Sequence, residues 1–184
     1  MRELSLHIID ILENSRTAGA TRIDLAIRLD SAADRLTIRV TDNGRGMDAE
    51  MVRRATDPFV TTRTARKVGL GLPLLAAAAS RCHGDLSIVS EPGKGTSVTA
   101  LFQHSHIDRA PLGNIIDTVT VFISGNPEIA FILRYSVDGR EMRLDTAELQ
   151  AELSDVSLSH PLVAGWIKQY LRKKLIELRG GEDW

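Results

Sequence analysis

"TDNGRGMDAE", residues 41–50, follows an alternating apolar and polar run and sets an aspartate, an asparagine and two glycines within six residues. On its own, Asp42-Asn43-Gly44 suits a tight hairpin turn, because these residue types tolerate the dihedrals such turns demand. The alternative is a backbone shaped to hold a ligand, with Gly44 and Gly46 letting the chain approach a flat group closely. What lies on either side of the stretch decides between them.

Upstream, "ELSLHIIDILENSRTA" (3–18) places Leu4, Leu6, Ile8, Ile9, Ile11 and Leu12 at the spacing of an amphipathic helix, and Gly19 ends it. "TRIDLAIRLD" and "RLTIRVTD" then alternate apolar and polar residues, with "SAAD" between them as a hairpin connection. Downstream, "AEMVRRAT" gives a short helix, and "DPFVTTRTARKVGLG" has no clean period and reads as a long loop. "LPLLAAAASRCHG" is a second helix closed by Gly84, followed by a hairpin in "DLSIVSEPGKGTSVTALFQ". Helix, two strands, loop, helix, two strands make an α+β sandwich, one antiparallel sheet with helices on one face.

"HSHIDRAPLG" (104–113) is a polar junction with Pro and Gly, and the expected boundary of this first unit. Beyond it, in 114–184, "TVTVFISG", "EIAFILRYSV" and "REMRLD" read as three antiparallel strands, a small β-meander. Helical patterns follow at about 145–155 and 161–179. In the last, Leu162, Val163, Trp166, Ile167, Tyr170, Leu171 and Leu175 form an apolar stripe, read as core packing. That unit is expected to dock a partner or pair subunits, and a homodimer stays open.

The chain has 184 residues, 43% hydrophobic and 26% charged, with a formal charge of -1. A dedicated nucleic-acid binder would carry a basic excess, so no nucleic acid is expected. One cysteine, Cys82, excludes an internal disulfide and fits an inert core residue. No apolar run approaches the roughly 18 residues of a membrane span, and the N-terminus lacks a signal pattern, so the expectation is a cytoplasmic protein with no membrane contact.

Four stretches carry chemistry. Asp10 and Asn14 stand four apart on one helix face. An amide oxygen suits Mg²⁺ when phosphates supply the remaining charge, and a carboxylate one turn earlier can orient or deprotonate a water. Asp42, at a strand end, can accept a hydrogen bond from an exocyclic amine such as that of adenine. Gly69 and Gly71 precede a helix whose free N–H groups suit an anion. Residues 45–67 add six basic residues against three acidic ones. Thr96 opens a strand after a glycine turn, where its hydroxyl can reach a neighbouring site. Each has a plain alternative: a solvated helix face, a turn, a lone G-x-G, an ordinary hairpin.

In this order the four resemble the ATP-binding superfamily shared by gyrase, heat-shock chaperones, histidine kinases and MutL-type mismatch-repair proteins. The N box resembles "DILENSRTAGA", the glycine boxes "DNGRGM" and "GLGL", the lid "DPFVTTR" and the closing element "GKGTSVTALF". The resemblance covers residues 1–103. It implies a Bergerat-type two-layer α/β sandwich with a mixed or antiparallel sheet and with ATP and Mg²⁺ as ligands. Asn14 would hold the metal and Asp42 the adenine amine, with Thr96 nearby. Gly44, Gly46 and Met47 would shape the adenine pocket. Gly69, Leu70 and Gly71 would form the lid hinge, while Lys67 and Arg63 would neutralise phosphate.

"ENSRTAGATRIDLAI" is similar to the mismatch-repair branch, and the segment from "GLGLPLL" onward to histidine kinases and their serine-kinase relatives. Hydrolysing branches carry glutamate where Asp10 stands. A stand-alone domain acting as a kinase or ATPase towards a partner protein, with Asp10 catalytic, is the expected function. The alternative is a non-catalytic, nucleotide-responsive module. His7, inside the first helix, is read as structural or surface, and 104–106 lacks a third metal ligand.

Overall fold

The structure, a computed structural model, describes residues 3–55, 71–153 and 156–178. Its first helix, α1 (Leu4–Thr17), buries Leu4, Ile8, Ile11 and Leu12 along one stripe. β1 (Arg22–Asp30) and β2 (Arg35–Asp42) pair antiparallel, with alternate residues buried as the period of two requires. A short helix, α2 (Ala49–Ala55), follows the glycine-bearing loop. After α3 (Gly71–Arg81) come β3 (Asp85–Glu91) and β4 (Gly95–Gln103), again antiparallel.

From here the structure departs from the expected meander. Residues 115–125 form a helix, α4 (Ile115–Gly125), and not the first of three strands. The run is rich in β-branched residues, which misleads a propensity reading, yet topology demands a crossover. β4 lies antiparallel to β2, β2 antiparallel to β1, and β5 (Ala130–Val137) parallel to β1. β4 and β5 therefore point the same way, and a parallel connection needs a long crossover, usually helical. The local signal is a cap: the Asn114 side chain accepts a hydrogen bond from the Asp117 backbone N–H at 3.0 Å. Burial at Ile115, Ile116, Val119, Phe122 and Ile123 then follows the helical period.

β6 (Arg140–Asp145) completes a mixed six-stranded sheet in the order β3-β4-β2-β1-β5-β6. The chain after residue 113 thus adds two strands to the sheet that residues 22–103 begin. α5 (Thr146–Leu153) and α6 (Pro161–Leu178) end the described chain. One apolar core joins the sheet's inner face, including Leu25, Ile38, Phe102 and Leu133, to α1, α3, α4 and α6. Of the expected α6 stripe, Val163, Ile167, Leu171 and Leu175 are buried. Leu162 and Trp166 are exposed, and Trp166 stacks on Tyr170 at 5.2 Å.

Candidate functional site

The helical layer and the sheet leave a cavity of about 160 Å³ between α1, α2 and the ends of β2 and β4. Its wall is mostly apolar, with Ile11, Met51, Leu72 and Val98, and its polar groups are few. That volume lies below the roughly 300–1,000 Å³ of a site that encloses a whole ligand. It suits a flat ring, with the rest of a larger ligand lying outside.

Asp42 is the polar centre. It ends β2, is 9% exposed, and lies opposite Thr96 in the β2–β4 register. Ser15 Oγ donates to Asp42 Oδ2 at 2.7 Å, and the Gly44 backbone N–H donates to Oδ1 at 2.9 Å. A carboxylate has about four lone-pair positions, so each oxygen keeps capacity for one more donor. The pair of fixed donors also locks the side-chain orientation.

The loop after Asp42 is held by its own backbone. Asn43 turns away from the cavity: its Oδ1 accepts from the Thr21 and Arg22 N–H groups, both at 2.9 Å, tying the loop to the start of β1. The Arg45 N–H donates to the Ala18 carbonyl at 3.0 Å, bringing the loop against the end of α1. There a Cβ on Gly44 would stand 2.9 Å from Ala18 Cβ, so the close approach requires glycine.

Thr96 belongs to a short hydroxyl chain. Ser90 Oγ accepts from the Met47 N–H at 2.8 Å, donates to the Gly95 carbonyl at 3.0 Å and lies 2.8 Å from Thr96 Oγ1. Ser90 has one proton, and the Gly95 carbonyl takes it. Thr96 must then donate to Ser90, which leaves its own oxygen as an acceptor beside Asp42. The cavity therefore presents two neighbouring acceptors to any ligand carrying an N–H₂ group.

The structure brings Asn14, Asp42, Gly46, Met47 and Thr96 to one cavity. Gly44 lies behind it, against Ala18. Asn14, on the exposed side of α1, stands at the rim. Asp10 and Gly71 do not line this cavity but touch each other: a Cβ on Gly71 would meet Asp10 Cβ at 2.9 Å and Oδ2 at 3.1 Å. Burial raises the Asp10 pKa, with nearby His7 opposing it. Arg63, Lys67, Gly69 and Leu70 lie outside the described residues. Ser15, Ser90 and Gly95 join the site only through the fold, and Asn43, legible as a turn residue, ties the loop to β1 instead. Serines and asparagines beside a motif carry no mark of which one hydrogen-bonds it.

His7, one turn before Asp10, is 2% exposed, and its Nδ1 has no hydrogen-bond partner among the described residues. Burial holds its pKa below the usual histidine value. A histidine kept neutral in the fold but protonated in the unfolded chain contributes stability above its unfolded pKa of about 6.5. That contribution falls away as the pH drops below this value. Between pH 7.5 and 5.5 the wild type should lose stability, and His7→Gln should lose less, as read by urea unfolding at each pH. Equal slopes for the two proteins would assign the titration elsewhere.

The match to protein families is to the model described as histidine kinase-, DNA gyrase B- and HSP90-like ATPase, over residues 1–106. The sensor protein kinase FleS of Pseudomonas aeruginosa is 37% identical over 109 residues, covering 59% of this chain and 26% of that protein. The signal transduction histidine-protein kinase AtoS of Escherichia coli is 33% identical over 95 residues, 51% of this chain and 16% of that protein. The chain thus matches about a quarter or less of the length of these curated relatives. Among solved structures, the N-terminal domain of a DNA repair protein aligns with a TM-score of 0.57 at 18% identity, covering 79% of this chain and 53% of that one. The Aquifex aeolicus MutL ATPase domain complexed with ADP aligns at 0.50 and 18%, covering 83% and 68%. Among the described residues no helix is long and apolar enough to cross a membrane.

Proposed function

The chain belongs to the histidine kinase-, DNA gyrase B- and HSP90-like ATPase family, and from that premise we propose that it binds ATP with Mg²⁺ and acts as a kinase or ATPase towards a partner protein. The observation that carries this reading is the convergence of Asn14, Asp42 and Thr96 on one cavity. Adenine offers one exocyclic amine with two N–H groups, and Asp42 and Thr96 offer adjacent acceptors. Gly46 and Met47 form the wall against the ring, and Gly44 allows that wall to close on α1.

The residues at the rim fit a metal held between protein and phosphates. Asn14 supplies a neutral amide oxygen, the hard donor that Mg²⁺ accepts when the nucleotide supplies the charge. When bound, Mg²⁺ offsets phosphate charge. Asp10, one turn away, is the proposed proton acceptor, and burial makes it a stronger base than an exposed aspartate. Gly69, Leu70 and Gly71 are proposed to meet the phosphates, with Arg63 and Lys67 neutralising charge. The acceptor is a serine or histidine of the partner, or water in a regulatory hydrolysis. A cytoplasmic site of action and a homodimer, without nucleic acid or membrane, complete the proposal.

A second reading, a nucleotide-responsive module without catalysis, draws on Asp10. It is one methylene shorter than a glutamate and stands against Gly71, outside the cavity that holds Asp42. Labelled ATP with Mg²⁺, alone and with candidate partner proteins, separates the two. Phosphate release or transfer that drops at least about 100-fold in Asn14→Ala is expected, the scale of a lost metal or transition-state contact. ATP binding by the wild type without release or transfer above that control would leave only the second reading.

A further inference from the structure

On the sheet face opposite the helices, the register sets Arg39, Ala26 and Arg134 side by side in one cross-strand row, with Arg143 next. Neighbouring strands lie about 4.8 Å apart, so the Arg39 and Arg134 backbones stand about 10 Å apart. Between them Ala26 contributes only a methyl group. The result is a recess, about 460 Å³ in volume, walled by Arg22, Arg39, Lys94 and Arg134, with Thr41 at its side.

The charges do not cancel there. Arg134 pairs with Asp24 at 2.9 Å, and Lys94 with Glu91 at 2.7 Å. Among the described residues no carboxylate lies within 4 Å of Arg22 or Arg39, whose Nε donates only to Thr99 Oγ1 at 3.2 Å. Four cations against Asp24, Glu91 and the bordering Asp42 leave one positive charge. Asp42 also borders the recess, but its carboxylate is held from the other face by Ser15 and Gly44.

We propose that this recess binds a single phosphate group, clasped between Arg39 and Arg134 above Ala26. A carboxylate brings one charge and two oxygens, whereas a phosphate monoester brings about -1.5 to -2 and three acceptor oxygens. The second matches the number of N–H groups that three guanidiniums present, which the two oxygens of a carboxylate would leave partly unfilled. The recess and the nucleotide cavity open on opposite faces of the sheet, so both can be filled at once. The phosphate can be free or carried on a side chain of a partner protein.

The test titrates inorganic phosphate into the full chain and follows the arginine Nε–H resonances by NMR, with sodium chloride at matched ionic strength as control. Saturable shifts at Arg22, Arg39 and Arg134 are expected, and in the Arg39→Gln/Arg134→Gln variant the phosphate affinity read at Arg22 should fall at least tenfold. A serine-phosphorylated peptide that binds tenfold tighter than phosphate points to a modified partner, and equal affinity points to a free phosphate compound. Linear shifts matched by chloride, or a double variant within twofold of wild type, overturn the site. So does an oligonucleotide that outcompetes both probes in proportion to its charge, since that describes a general polyanion surface.

Discussion

Asp42→Ala should weaken nucleotide binding about 100-fold and also lower the melting temperature. A factor of 100 corresponds to about 2.8 kcal/mol, within the range of about 1.5–3 kcal/mol for a hydrogen bond to a charged group. The stability loss has a separate cause. Removing the carboxylate strands the Ser15 hydroxyl, in a residue 3% exposed, and the Gly44 N–H. Each buried donor left without an acceptor costs about 1–3 kcal/mol. Alanine alone therefore cannot distinguish a lost adenine contact from a loosened loop.

Asp42→Asn makes that distinction. The amide oxygen can stay on the Gly44 N–H, and Ser15 can rotate its hydroxyl to accept from the new N–H₂ group. The internal network survives with donor and acceptor exchanged, so the melting temperature should stay near wild type. Towards the cavity, however, the position now presents a donor to the adenine amine, itself a donor. Calorimetric titration with ADP should then show affinity lost as in the alanine variant. If Asp42→Asn binds ADP like wild type, the carboxylate serves the loop and not the base.

How far this was legible follows from particular residues. The strands around Ile38 and Val40 alternate cleanly, and α1 repeats its apolar residues every three or four, so both could be read from periodicity. Asp42 could be read because it ends such a strand directly before glycines. Residues 115–125 could not, since β-branched residues there mimic a strand. The helix follows from a sheet order that pairs β5 with β1 at positions 108 residues apart, from Arg22 with Ala130 to Leu29 with Val137, a separation no local pattern reveals. The bonds that hold Asp42 have the same character: Ser15 is 27 residues away in sequence, and only folding makes it a neighbour. The arginine row is a further case, because Arg39 and Arg134 meet only once the register is set.

The glycines show the limit most sharply and yield the other large prediction. Gly46 and Gly93 both adopt positive φ, +67° and +77°, and both sit in glycine-rich stretches that look alike in sequence. A Cβ on Gly93 meets nothing within 4 Å, whereas one on Gly46 would lie 2.0 Å from the Glu91 carbonyl oxygen. Gly93→Ala should therefore cost only the left-handed backbone penalty, about 1–2 kcal/mol. Gly46→Ala adds a collision with backbone, which no side-chain rotation relieves, and should lose more than about 4 kcal/mol. To escape it the loop must move off β3, breaking the bond from the Met47 N–H to Ser90 and shifting the cavity wall. Nucleotide affinity should fall with stability in Gly46→Ala and stay near wild type in Gly93→Ala. Urea unfolding and ADP titration of the two variants side by side check both halves. Equal stability losses would mean that the glycine loop does not pack on β3, and the wall assigned to the adenine pocket would go with it.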